Sequence, residues 1–207
     1  MKHFYRDPTI ISLIIANLIT IFLAVTQNWS LIQILWIYWC QSVIIGFFNF
    51  IRMLSLKDFS TEGVLINNKP VAPTGTVKTL LAFFFAFHYG LFHLVYAFFL
   101  IMLPFFSLLS GTQINFSFTD FLFVPIMAGI FFINHLISFL FYKNKPKKQS
   151  IGKMMMFPYA RIIPMHLTIM LAASLGIASP LLLLFFLLLK TGADVVMHLI
   201  EHREQWV

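Results

Sequence analysis

Four ionisable side chains recur at intervals of four residues near the end of the chain: Lys190, Asp194, His198 and His202. A spacing of four residues places side chains along one face of an α-helix. Glu201 flanks this row. Ammonium, carboxylate and imidazole groups on one face can relay protons, bind an ion or ligate a metal. The row therefore predicts a functional site, although Lys190 and Asp194 could also simply neutralise each other as an ion pair.

The segment that carries the row is apolar, and Lys190 lies about 15 Å inside it at 1.5 Å per helical residue. Ionisable residues within a membrane span are rare, and they usually face the bundle interior or a water-filled cavity. We therefore interpret Lys190 and Asp194 as candidate catalytic or relay residues. His198 lies near the inner boundary, and Glu201 and His202 are secondary candidates at the membrane edge.

Other apolar segments carry polar side chains at a comparable depth, mostly in the half that we assign to the cytoplasmic side. They are His88, His166, Asn17, Gln41, Asn49 and His135. This convergence in depth predicts one site shared between helices. His93 follows His88 by five residues, about 140° around a helix, so the two cannot easily serve one small site. A lone histidine in a span is more often a hydrogen-bonded structural residue, so His93 and His135 are secondary candidates for direct function.

The same side chains suit a metal. Imidazole and carboxylate groups ligate zinc and similar divalent ions, and Asp194-x-x-x-His198 places two of them on one helical face. With His88 and His166 they would form a metal site in the inner leaflet, with Lys190 as an electrostatic or acid–base partner. Water bound to such a metal could attack a lipid or amphipathic substrate. This pattern predicts a metal-dependent membrane hydrolase.

Three alternatives remain open from the sequence. Aligned Lys, Asp and His side chains also make a proton relay, as in a proton-coupled or metal-ion transporter. Two histidines on facing helices could be the axial ligands of a b-type haem. The polar residues could instead only fix helix packing in a non-catalytic scaffold protein.

The composition requires a membrane environment for these helices. Hydrophobic residues make up 60% and charged residues 10% of the 207 residues, whereas soluble domains carry roughly 25% charged residues. Crossing the hydrocarbon core takes about 20 apolar residues as a helix. We predict one all-α domain, a six-helix transmembrane bundle with spans at 9–26, 30–51, 79–103, 119–142, 162–178 and 180–200.

The distribution of basic residues predicts the orientation. Every Lys and Arg except Lys190 lies in the N-terminal tail, in segments 52–78 and 143–161, or in the C-terminal tail. By the positive-inside rule these four regions are cytoplasmic in a multi-pass protein of the cell membrane. The net charge of +7 then indicates anionic lipid headgroups as partners rather than nucleic acid. Arg52, Asn49 and Arg161 are candidates to bind a substrate or headgroup at the inner mouth.

The chain resembles an uncharacterised prokaryotic membrane family, domain of unknown function 6498. The resemblance covers nearly the whole chain and is most specific in its terminal run Asp194-x-x-x-His198-x-x-Glu201-His202. Its other features are Trp39, Gly46, Asn49, Arg52, His88-Tyr89-Gly90 and His93. The family pattern has an acidic residue and an Asn where this chain has Gln41 and Ser42, which argues against Gln41 as a ligand or base. The resemblance implies a membrane location and supplies no activity.

Overall fold

The computed structural model describes the backbone of residues 8–109, 121–142, 149–175 and 180–203. Some helical positions are described by their backbone alone, among them Arg161, His198, Glu201 and His202. The described residues form six α-helices: α1 (Pro8–Thr26), α2 (Leu31–Ser55), α3 (Gly75–Leu109), α4 (Phe123–Tyr142), α5 (Ile151–Leu175) and α6 (Pro180–Arg203). The predicted helical class is confirmed.

Helix α2 is the central element of the bundle. The Ser30 side chain caps its first turn by accepting a hydrogen bond from the Gln33 amide. Leu56 follows the helix in an extended conformation and ends it. Between these points α2 packs against α3, α4 and α5, while α6 packs against α5 and α1. The polar residues of α2 are therefore surrounded by other helices on most sides.

Three helices are long and apolar enough to cross a membrane among the described residues: Leu31–Ser55, Gly75–Phe105 and Phe123–Phe141. The outer faces of the helices expose large apolar side chains such as Phe22, Phe87 and Ile133. Buried polar residues lie inside, including Asn17, Gln41, Lys190 and Asp194. A surface of this kind is matched to lipid rather than to water, which indicates association with a membrane.

Helices α3 and α5 extend furthest beyond the predicted spans. Helix α5 begins at Ile151, inside segment 143–161, which the sequence predicts to be a loop. The hydropathy pattern does not predict a helix for its first turns because they contain Lys153 and Pro158. Ile151 and Met154 are buried there, and their packing favours the helix over the local propensity of the sequence. Helix α3 continues through Pro104 to Leu109, beyond the predicted end of its span at residue 103. Neighbouring groups can compensate a proline within a membrane helix.

The connection between α2 and α3 contains short strands. β1 (Phe59–Ser60) pairs in parallel with β4 (Gln149–Ser150), directly before α5. β2 (Leu65–Ile66) and β3 (Lys69–Pro70) form a hairpin. Its two turn residues, Asn67 and Asn68, have φ of 52° and 60°, the conformation of a type I′ turn. The two segments predicted to be cytoplasmic therefore contact each other at the end of the bundle where α2 ends and α3 and α5 begin.

Candidate functional site

Lys190 and Asp194 form an ion pair in the interior of the bundle. The Lys190 Nζ lies 2.7 Å from Oδ1 and 2.6 Å from Oδ2 of Asp194. The two side chains are 3% and 0% exposed. Their spacing of four residues on α6 brings them together within one helical turn. The carboxylate is therefore bidentate towards one ammonium, away from water.

Two other helices complete the surroundings of this pair. From α2, Gln41 Oε1 accepts a hydrogen bond from Lys190 Nζ at 3.0 Å. From α1, Asn17 Nδ2 donates to Asp194 Oδ2 at 3.2 Å. Lys190 Nζ lies over the Tyr38 ring, 4.8 Å from its centroid, at cation–π distance. These five residues are called the ion-pair site below.

Each amide of the ion-pair site has one end engaged and one end without a partner among the described residues. An ammonium can only donate, so Gln41 meets Lys190 through its oxygen, Oε1. A carboxylate can only accept, so Asn17 meets Asp194 through its nitrogen, Nδ2. The Gln41 Nε2 donor and the Asn17 Oδ1 acceptor are the unengaged ends. Both residues are 0% exposed. Since buried polar groups are normally hydrogen-bonded, these two atoms are the ones that a ligand or water would bind.

A second polar layer lies between α2 and α3. The hydroxyls of Ser42 and Tyr89 are 2.8 Å apart, and the Tyr89 hydroxyl also donates to the Ser42 carbonyl. His93 Nδ1 lies 2.8 Å from the Tyr89 carbonyl, so Nδ1 carries the proton. Its Nε2 is buried without a hydrogen-bond partner among the described residues. Trp39 Nε1 donates to the His93 carbonyl at 2.9 Å.

Two tyrosine–histidine pairs join α3 to α5. The Tyr159 hydroxyl lies 2.7 Å from His88 Nδ1. Eight residues further along α3, the Tyr96 hydroxyl lies 3.1 Å from His166 Nδ1. At 1.5 Å per residue the pairs are about 12 Å apart along the helix. His88 and His166 are therefore held in separate places.

The predicted metal ligands are not brought together as far as the structure describes them. His88 and His166 bind different tyrosines on the α3–α5 interface, whereas Asp194 binds Lys190 between α6, α1 and α2. His198, the fourth predicted ligand, lies outside the described side chains. Among the side chains that are described, no group of three or more His, Cys, Asp or Glu could hold a metal ion.

The remaining predicted residues have structural settings or lie outside the description. Asn49 Nδ2 donates to the Met154 carbonyl at 3.0 Å and so joins α2 to α5. Arg52 is half-buried in the last turn of α2. His135 is half-buried on α4. The side chains of Arg161, Glu201 and His202 lie outside the described residues.

The sequence identified part of the ion-pair site but not all of it. The spacing of Lys190 and Asp194 allowed an ion pair as the alternative to a functional role, and Gln41 was a secondary candidate because of its depth. Asn17 was noted only as a polar residue of the first span, and Tyr38 was not singled out. A buried Asn in an apolar helix was the available signal for Asn17, because an amide in hydrocarbon requires a partner on another helix.

Comparisons with known proteins give a family and no activity. No curated protein and no solved structure matches the chain. A family model matches residues 1–206, almost the entire sequence. The resemblance stated from the residues is thereby confirmed, and the chain belongs to a family of unknown function, domain of unknown function 6498.

Proposed function

We propose that this protein is a proton-coupled carrier of the cell membrane, with six spans and both termini in the cytoplasm. The observation that carries the proposal is the buried ion pair of Lys190 and Asp194. Paired ionisable residues inside a membrane protein typically mark proton relays and ion or substrate pathways. The positions of the basic residues support the orientation, and the apolar outer faces support six spans.

Protonation of Asp194 provides the coupling. With the carboxylate neutralised, the Lys190 ammonium is left without its counter-ion in the interior, at a cost of several kcal/mol. The ammonium then has to move towards water, lose its proton or bind an anion. Movement towards water or binding of an anion would change the contacts of the pair with Gln41 on α2 and Asn17 on α1, and so favour a different position of α6 against those helices. One proton can therefore bias two arrangements of the bundle, which is what a coupled carrier requires.

Proteoliposomes test the proposal. They contain a pH-sensitive dye and receive gradients of amino acids, carboxylates, organic cations and divalent metals in turn. We expect at least one solute to drive proton movement with the wild type and none to do so with Lys190→Met/Asp194→Leu. Thr26→Ala, an exposed change on α1, serves as the matched control. Equal proton movement by the wild type and the double variant with every solute would contradict the carrier.

The metal-dependent hydrolase is the competing proposal, and its ligand set would depend on His198. It predicts at least one zinc or other divalent ion per chain, lost in His198→Ala and in Asp194→Ala. For a carrier that uses Lys190 and Asp194 as an ion pair, we expect well below one ion per chain. Elemental analysis of protein purified without chelator decides between the two. A Soret absorption band in the same sample would instead indicate b-type haem.

The cytoplasmic surface forms the second part of the proposal. Arg52 lies in the last turn of α2, at the proposed cytoplasmic end, where anionic headgroups of the inner leaflet would meet it. Arg161 lies ten residues into α5, too far from that end for the same contact. Asn49 lies one turn from Arg52, but its amide already donates to Met154. We therefore assign lipid contact to Arg52 and a packing role to Asn49.

A further inference from the structure

The two amides at the ion-pair site bind different members of the charge pair, and each has one unengaged end. Gln41 binds Lys190, and its unengaged end is a donor. Asn17 binds Asp194, and its unengaged end is an acceptor. A donor next to an ammonium suits an anionic group, whereas an acceptor next to a carboxylate suits a cationic group. The site can therefore bind an anionic group at Lys190 and Gln41 and a cationic group at Asp194 and Asn17.

The charge balance narrows the ligand class further. Lys190 and Asp194 are both nine-tenths or more buried and together carry no net charge. A lone anion or cation entering the site would add a net charge to a low-dielectric interior, which is costly. A zwitterion adds none. It replaces one internal ion pair with two pairs to the ligand, and it engages both unpartnered amide ends.

We infer that the ion-pair site binds a zwitterion, whose acidic group meets Lys190 and Gln41 and whose ammonium meets Asp194 and Asn17. The inference rests on the proposed carrier function and names the chemical class of its solute. The ammonium must carry N–H groups, because Asn17 offers an acceptor oxygen. The rings of Tyr38 and Phe186, which pack edge to face at 5.4 Å, favour a solute with an apolar part.

Leucine and two of its derivatives test the inference on the purified full-length protein in detergent. Leucine has both charges, its methyl ester has only the ammonium, and N-acetyl-leucine has only the carboxylate. We expect leucine alone to raise the thermal unfolding temperature, followed through tryptophan fluorescence. Equal shifts with all three compounds would contradict a zwitterion site.

Variants locate the binding. Asn17→Leu and Gln41→Leu are each expected to weaken leucine binding about tenfold, the effect of losing one hydrogen bond to a charged group. Thr26→Ala on α1 and Ser55→Ala on α2 are exposed controls on the same helices and should leave the Kd unchanged. An unchanged Kd in both amide variants would place any leucine binding elsewhere and overturn the inference.

A lipid headgroup offers the same chemistry as a free solute. The unfolding measurement is therefore repeated in phosphatidylcholine nanodiscs with and without phosphatidylethanolamine, because only the latter headgroup has N–H groups on its ammonium. Stabilisation by phosphatidylethanolamine but not by leucine assigns the site to a lipid. No stabilisation by either overturns the inference. Leucine binding without solute-driven proton movement overturns the carrier function and leaves the zwitterion site standing.

Discussion

Replacing either member of the ion pair alone is expected to destabilise the protein by about 3–5 kcal/mol, whereas replacing both together should not. Asp194→Asn removes the carboxylate that pairs with the Lys190 ammonium, and Lys190→Met removes the ammonium that pairs with the Asp194 carboxylate. The double variant Lys190→Met/Asp194→Leu has neither charge, and its apolar side chains suit the surrounding helices. It should be at least as stable as the wild type.

The reason for this asymmetry is the desolvation of the two charges. Taking an ion out of water costs several kcal/mol, and the attraction between the partners does little more than offset that cost. Removing one partner removes the attraction but retains the desolvation of the other. Gln41 and Asn17 cannot compensate, because each is a neutral amide that offers a single hydrogen bond to the pair.

Unfolding in mixed detergent micelles at increasing SDS measures these effects. Asp58→Asn, a change of the same kind on an exposed loop residue, controls for the loss of a carboxylate and should stay within about 0.5 kcal/mol of the wild type. Strictly additive single effects in the double variant would show that the two residues are not coupled. The ion pair would then have no energetic role in the fold.

How far the sequence predicted this site depended on the kind of contact. The pair on α6 was predictable because the spacing of four residues fixes both the depth and the direction of Lys190 and Asp194. The contact of Asn17 with Asp194 joins residues 177 positions apart, and it depends on which helices are neighbours. Sequence periodicity does not specify that arrangement. The predicted helices were largely recovered because each long apolar segment is helical for local reasons.

The predicted convergence of His88, His166 and Asp194 shows the limit of an argument from depth. Depth in the membrane follows from counting residues, but the direction of a side chain around its helix follows from packing. His88 and His166 both point to the α3–α5 interface, where tyrosines bind them. Asp194 points to α1. Groups at comparable depth therefore belong to different sites.

Gly46→Ala is expected to destabilise the protein by about 1–3 kcal/mol, the usual cost of inserting a methyl group into a packed interior. A Cβ at Gly46 would lie 2.7 Å from Cδ1 of Tyr89, closer than van der Waals contact allows. The Tyr89 ring cannot easily move away from the added methyl group. Its hydroxyl is bound to Ser42. Its ring centroid lies 5.0 Å from that of Phe85 and 4.3 Å from that of His93.

The substitution should therefore disturb the polar layer between α2 and α3 while leaving the ion-pair site in place. Gly90→Ala is the matched control on α3, because a Cβ there meets no atom within 4 Å. It should be neutral or slightly stabilising, since alanine favours a helix over glycine by up to about 1 kcal/mol. Thermal unfolding of both variants measures the difference.

In a Tyr89→Leu background, Gly46→Ala should lose most of its effect because the ring that it displaces is gone. An undiminished effect there would show that the clash with Tyr89 is not the cause, and that the close approach of α2 and α3 depends on the backbone at Gly46 instead.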